Sequence, residues 1–334
     1  MPAVDAFSDE QARALINLQQ QYQVWRDAER ALAALPYDLR RKAVGGRAYL
    51  YEIVDRSGAG KSLGRWSPVL EAQFKTYRER KAELKARIQS ARQRLDETTR
   101  LGRALRLPAI PEEAGDILRE ADRRGLLDGS LLVVGTNAMP AYAVEAGGFI
   151  REAPDETQDF DLAWAAETQG DAAPTLWPLL KAVDPTFTVN MEREFQARNA
   201  KAYEVEVLVA PSRASTVARL DQPKPVPLPE QEWLLNGRVV DRVVISRGGA
   251  PARIVAPDPR WFALQKLWMA GQSKRDALKR PKDRKQGLAL LNAVDAAMPQ
   301  FPLDAAFEGA LPQELAPLYA GWRAQRPQRP APRW

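Results

Sequence analysis

The chain has 334 residues, 45% hydrophobic and 28% charged, with a formal net charge of +6, a pI near 9.5 and neither Cys nor His. At roughly 100–200 residues per domain this length allows two or three units, and the missing thiols and imidazoles exclude disulfides, Cys/His zinc sites and Cys/His or Ser/His catalysis. Chemistry is left to carboxylates, Lys/Arg, hydroxyls, backbone amides and a hard, oxygen-ligated ion such as Mg2+ or Mn2+.

The positive charge favours a polyanionic partner, nucleic acid or nucleotide phosphates. No apolar run approaches the roughly 18–20 residues of a membrane helix. The start "MPAVDAFSDEQARA" lacks the basic and apolar segments of a secretory signal. A cytoplasmic chain without membrane contact is expected.

In chain order, Leu15, Leu18, Tyr22, Trp25 and Leu32 predict a helix over 9–35. A second, over 68–105, carries Leu70, Tyr77, Leu84, Ala91, Thr98 and Leu105 in one heptad series. Phe74, Lys81, Ile88 and Leu95 fill the interleaved series, as on a coiled-coil face. An antiparallel hairpin is the simplest arrangement, with a face suited to a protein partner or a second copy. Between the helices, "AYLYEIV" has strand character and "RSGAGK" is turn-rich, predicting a small β-hairpin near 46–66. "GAGKS" lacks the Gly a phosphate-binding loop needs five positions before Gly60, where Asp55 stands, so it reads as a basic turn.

From about residue 125 the texture changes. Strand Leu131–Val134 leads into a tight turn at Gly135-Thr136, then a helix with Pro140 in its first turn and a stop at Gly147-Gly148. "DFDLAWA" and "AYEVEVLVAPS" follow as strands, then the Pro-rich loop "DQPKPVPLPE" and the strand pair "RVVDRVVIS" and "ARIVAP". Beyond Asp258 the pattern is helical, with Trp261, Trp268 and Trp322 expected in the core and the tail "PQRPAPRW" frayed. The expected organisation is α+β: a helical hairpin over 1–105, a mixed-sheet core over 106–256 and a helical subdomain over 257–334.

Asp159 and Asp161 share one face of their strand, with Phe160 and Leu162 on the other. A lone pair of this kind is common on solvated strands. At a buried site, though, one carboxylate would be protonated unless a cation were present. Glu204 or Glu206 on a neighbouring strand could complete a metal cage. The Gly135-Thr136 turn, at a strand-to-helix junction, offers free N–H groups and a hydroxyl to a phosphate. A phosphate cradle with a carboxylate cage is the equipment of metal-dependent phosphoryl or nucleotidyl transfer. The basic run over 274–285 reads equally as a solvated helix face or as a phosphate or RNA surface.

The order of these motifs resembles the DNA polymerase β-like nucleotidyltransferase superfamily, nearest to AbiEii-type toxins and related nucleotidyltransferase-fold proteins. "GT" at 135–136, "TQDFDL" at 157–162 and "VEVL" at 205–208 carry the likeness, which spans roughly 45–65 and 125–295. "YLYEIV…KSLG" near the N-terminus is similar to the fold-only relatives. The resemblance implies a polymerase β-like core in which Asp159, Asp161 and Glu206 hold Mg2+ or Mn2+ and act in catalysis. It implies that Gly135, Thr136, Lys266, Lys282 and Asp283 face the NTP, through "PRWFALQKLWMA" and "KRPKDRKQGLALL". The expected reaction is NMP transfer from an NTP such as ATP to a hydroxyl of RNA, a tRNA 3′ end among the acceptors. Protein nucleotidylylation, a non-catalytic nucleotide- or RNA-binding role and a toxin–antitoxin setting are the alternatives. Arg151 is the nearest Arg before the acidic motif, and Gln265 stands where some relatives have His.

Overall fold

A computed structural model describes residues 2–154, 159–167 and 175–326. Thr157, and the tail from 327 onward, lie outside the described residues. The elements are β1 (Val4–Ala6), α1 (Asp9–Ala33), β2 (Asp38–Val44), β3 (Arg47–Ile53), β4 (Gly60–Arg65), α2 (Pro68–Ala104), β5 (Ala109–Ile110) and α3 (Glu112–Arg123). They continue with β6 (Leu131–Val133), α4 (Met139–Glu145), β7 (Gly148–Ile150), β8 (Asp159–Trp164), α5 (Leu176–Val183), β9 (Thr188–Val189), β10 (Gln196–Arg198), β11 (Glu204–Val209) and β12 (Val226–Pro227). The last are β13 (Val240–Ser246), β14 (Pro251–Ala256), α6 (Pro259–Gly271), α7 (Lys279–Ala297), α8 (Ala305–Gly309) and α9 (Ala316–Gln325). They form two compact units: Asn17–Arg100, and the described residues before and after it.

In the unit Asn17–Arg100, the helical segments pair antiparallel. Gln21 accepts from Thr98 Oγ1 (2.6 Å), and Glu29 accepts from Arg92 (2.5 Å). The heptad positions Tyr77, Leu84, Ile88, Ala91 and Leu95 are the buried ones, as their 3–4 spacing dictates. Lys81 sits in this seam without leaving its charge unmet, because its ammonium donates to Tyr77 Oη (2.6 Å) and to the Tyr37 carbonyl. The strands form a three-stranded antiparallel meander, β2-β3-β4. Leu39 and Leu50 turn one of its faces onto Phe74, Tyr77 and Trp66. The sequence pattern pointed to a hairpin over 46–66; the strand Asp38–Val44 joins it, its four polar residues having hidden the alternation.

In the other unit, a mixed sheet has the order β6-β8-β11-β10-β9, with β12 alongside β11. β8 and β11 run parallel, and the crossover between them includes α5. A second sheet, β14-β13-β5, contains the expected antiparallel pair. The alternation is met along β11 and in β8 as far as Leu162: Phe160, Leu162, Val205 and Val207 are buried, while Asp159, Asp161, Glu204 and Glu206 look to the opposite side; from Ala163 both sides of β8 are buried. α3 places Ala114, Ile117, Leu118 and Ala121 at i, i+3, i+4 and i+7, one stripe against the same core. Helices α6, α7 and α9 contribute to that core through Phe262, Leu264, Leu290 and Trp322. Gly287 lets α7 approach α6 closely, since a Cβ there would lie 2.7 Å from the Ala263 carbonyl oxygen.

Candidate active site

The site starts from strand register. Parallel pairing sets Asp159 opposite Glu204 and Asp161 opposite Glu206. Residues paired this way point to the same face, so four carboxylates from two strands share it. On the next strand Gln196 pairs with Glu206, and its side-chain amide donates to both Glu206 Oε1 (3.1 Å) and Glu204 Oε2 (2.9 Å). Glu204 is further held by Arg198, leaving Glu206 as the carboxylate on β11 that borders the cleft.

Above this face, the Val134 amide donates to the Asp161 carbonyl (3.0 Å), tying the end of β6 to β8. Gly135 follows with φ +66°, and an added Cβ would stand 2.0 Å from Asp161 Oδ2. Only glycine meets both demands, positive φ and no side chain. Gly135→Ala should therefore displace the Asp161 carboxylate. Transfer activity should fall by about tenfold or more, and by more than melting changes, checked by rate and thermal melt. Thr136 is buried, and its hydroxyl accepts from Gln286 Nε2 (3.2 Å). Asn137 Nδ2 donates to the Asp159 carbonyl (2.9 Å), so the turn grips the acidic strand at two points.

A cleft of about 720 Å3 opens beside Gly135, Asp161 and Glu206. Its apolar wall includes Leu228, Trp268 and Met269; its rim carries Lys266, Lys274 and Arg275. The Pro-rich loop after Asp221 supplies Val226 and Leu228, Val226 through pairing of β12 with β11. Gln231 lines this wall almost fully buried, and its Oε1 has no hydrogen-bond partner among the described residues. Gln265 is buried and donates to the Glu230 carbonyl (3.1 Å).

Lys266 and Asp283 form a buried pair (2.9 Å), and Arg275 takes the second oxygen of Asp283 (2.7 Å). Burial disfavours the Asp283 charge, yet Lys266 and Arg275 hold its carboxyl below the usual range. Asp283 thus turns away from solvent and fixes two cations at the cleft. Lys282 is half-buried, and burial with Lys266 nearby lowers its ammonium pKa. Arg151, the nearest Arg ahead of the acidic motif in sequence, is engaged by Asp5 (2.5 Å).

The acidic face carries negative charge that its neighbouring cations offset only in part. Burial pushes the Asp161 carboxyl up; Lys266 draws it back and Asp159 raises it again, leaving it above its ordinary value. Burial and Asp161 together push Glu206 up to about 7. Lys279 supplies part of the missing cation, its ammonium 2.9 Å from Asp159 Oδ2. As the side chains stand, no group of three or more carboxylates among the described residues is drawn close enough to hold a metal ion. The donors nevertheless fit a hard divalent ion in chemistry and register: oxygen ligands on one face, two with raised pKa. Release of Asp159 from Lys279 and of Glu206 from Gln196 would free them to converge.

The structure brings Gly135, Asp161, Glu206 and Lys266 to one cleft, sets Asp159 beside them on β8, and places Thr136 and Asp283 behind it as holders of neighbours. Gln196 and the role of Lys279 are additions that sequence reasoning did not reach. Lys279 lies 120 residues from Asp159, and nothing in a basic run says which of its members turns to a carboxylate.

A family model described as a nucleotidyltransferase matches residues 112–312, more than half of the chain. The chain belongs to this nucleotidyltransferase family and is a nucleotidyltransferase enzyme. No curated protein and no solved structure matches it. No helix among the described residues is long and apolar enough to cross a membrane.

Proposed function

We propose that the enzyme transfers NMP from an NTP to a hydroxyl of RNA in the cytoplasm, on a polymerase β-like core nearest to the AbiEii-type toxins. The observation that carries this reading is the register pairing of Asp161 with Glu206 beneath Gly135, at the mouth of a cation-rimmed cleft. Asp159, Asp161 and Glu206 would hold Mg2+ or Mn2+, which when bound polarises a phosphoryl oxygen and activates the attacking hydroxyl. The missing side chain at Gly135 seats the Asp161 carboxylate, and the backbone amides of the turn that follows would meet a phosphate. Lys266, Lys274 and Arg275 neutralise the triphosphate, with Lys282 further along the same face; Asp283 keeps Lys266 and Arg275 in place. The wall of Leu228, Trp268 and Met269 receives the base and excludes water. The orphaned Gln231 oxygen suits an exocyclic amine, which adenine, cytosine and guanine carry and uracil lacks, so UTP is disfavoured.

The test is incubation with Mg2+ or Mn2+, each α-³²P-labelled NTP in turn, and total bacterial RNA, beside a reaction without RNA. Label should enter an RNA band, a tRNA-sized one if the 3′ end of tRNA is the acceptor. Label on the protein itself would make protein hydroxyls the acceptor, and no label in either reaction would sink the reading.

A further inference from the structure

The meander β2-β3-β4 has a face that the leucine core does not use. Antiparallel register sets Arg40 opposite Tyr51, Lys42 opposite Tyr49 and Val44 opposite Arg47; on the other side Tyr49 meets Arg65 and Tyr51 meets Ser62. Directly paired residues share a face, so Tyr49 and Tyr51 stand side by side on the central strand, ringed by Arg40, Lys42, Arg47 and Arg65. Their spacing along the strand is about 6.6 Å, two residues of strand rise. Lys42 already places its ammonium 5.0 Å from the Tyr51 ring centroid. The one carboxylate on this face, Asp38, is taken by Arg40 (2.9 Å) and Lys81 (3.8 Å).

This face runs on into a cleft of about 840 Å3. Arg40 and Asp38 line it from the sheet, Tyr37 from the preceding turn, and Arg78, Lys81 and Lys85 from α2. Aromatic rings at the centre with cations around them are the pattern that binds single-stranded nucleic acid: rings stack on bases and cations track phosphates. A membrane surface would call for a run of exposed aliphatic side chains among the cations, whereas Val44 on this face and Val54 in the cleft stand apart at opposite ends of β3. An acidic protein would meet the charge but leave the paired tyrosines unused.

We propose that this cation-ringed face of the meander, on which Tyr49 and Tyr51 are half-buried, binds single-stranded RNA together with the adjoining basic cleft. The choice of RNA rests on the acceptor class proposed above, and the binding is independent of the active site. It is tested on the full chain without nucleotide, by fluorescence anisotropy of a labelled 12-nucleotide RNA against a 12-base-pair RNA duplex and a single-stranded DNA of the same length. The wild-type chain should prefer the single-stranded RNA. Tyr49→Ala/Tyr51→Ala should weaken it about tenfold or more, and Tyr49→Phe/Tyr51→Phe, which keeps the rings, should restore binding. Arg40→Glu/Arg65→Glu alters exposed side chains and should leave folding intact; it should weaken binding and cut the salt dependence, whose log–log slope is about 0.7 per phosphate contact.

Unchanged affinity in the Tyr→Ala and Arg→Glu variants overturns the proposal, as does absence of single-stranded RNA binding by the wild type. Equal affinity for a polyglutamate peptide, unmoved by Tyr→Ala, would mean a plain electrostatic surface and also overturns it. Tighter binding of the DNA strand would move the ligand to single-stranded DNA and overturn the RNA assignment. Asp159→Asn/Asp161→Asn should keep full RNA affinity, so failure of transfer and failure of this surface are separate results.

Discussion

Asp161→Asn should abolish nucleotidyl transfer, by roughly a thousandfold or more, while the melting temperature holds or rises. The substitution keeps the shape of the side chain beneath Gly135 but removes a charge the fold bears at a cost. Asp161 and Glu206 both sit above their ordinary pKa: burial raises each, with Asp159 adding to it at Asp161 and Asp161 adding to it at Glu206. Neutralising Asp161 relieves Glu206, so the predicted signature is activity lost with stability unchanged or gained. Asp159→Asn should abolish transfer similarly but gain nothing in melting, because it forfeits the ion pair with Lys279. Rates with labelled NTP beside thermal melts of the same preparations decide this. A surviving rate in either variant would remove the carboxylates from the mechanism; a large loss of melting temperature in Asp161→Asn would make the residue structural.

Arg253→Met should cost about 3–5 kcal/mol of folding stability, the largest loss expected from a single side chain away from the cleft. Its guanidinium is buried on β14 and donates to three carboxylates: Asp241 through both oxygens (2.8 Å each), Asp122 (2.8 Å) and Asp128 (2.9 Å). Asp122 is almost wholly buried on α3, so removing the cation leaves negative charge in the interior with its main counter-ion gone. Arg253→Lys keeps the charge but not the planar fork and should fall between. Chemical denaturation of the three proteins tests the order wild type, Lys, Met. Equal midpoints for Met and wild type would show that the network holds nothing together.

Much of the catalytic half was legible because one pattern served two purposes. In "DFDLAW" and "EVEVLV" the residues that alternate into the core fix the strands, and the residues between them are the carboxylates. Reading the fold there was reading the site. β10 was not legible, since "QAR" is three residues long and makes no pattern, yet it delivers Gln196 to both glutamates. α3 was legible in principle, since Ala114, Ile117, Leu118 and Ala121 lie at helical spacing between acidic and basic neighbours, but its low mean hydropathy makes the segment look like a polar connection. Arg253 looked like an ordinary strand residue, its partners 12, 125 and 131 positions away. The cation partners were hidden for the same reason. Periodicity reports which face is buried, whereas an ion pair depends on where separate elements come to rest.

The burial of α6 bears on the cleft in another way. Over 259–266 every position but Arg260 is buried, and the Asp258 carboxylate caps the start of the helix by accepting from the Arg260 amide (3.0 Å). A segment enclosed on all sides cannot open piecemeal, so its amides meet solvent only when the surrounding unit comes apart. Lys266 is carried by that segment. Its ammonium is therefore a fixture with the lifetime of the fold, set before any substrate arrives. Whatever must move during turnover belongs to the exposed side chains opposite, Lys274, Lys279 and their neighbours on the connection into α7.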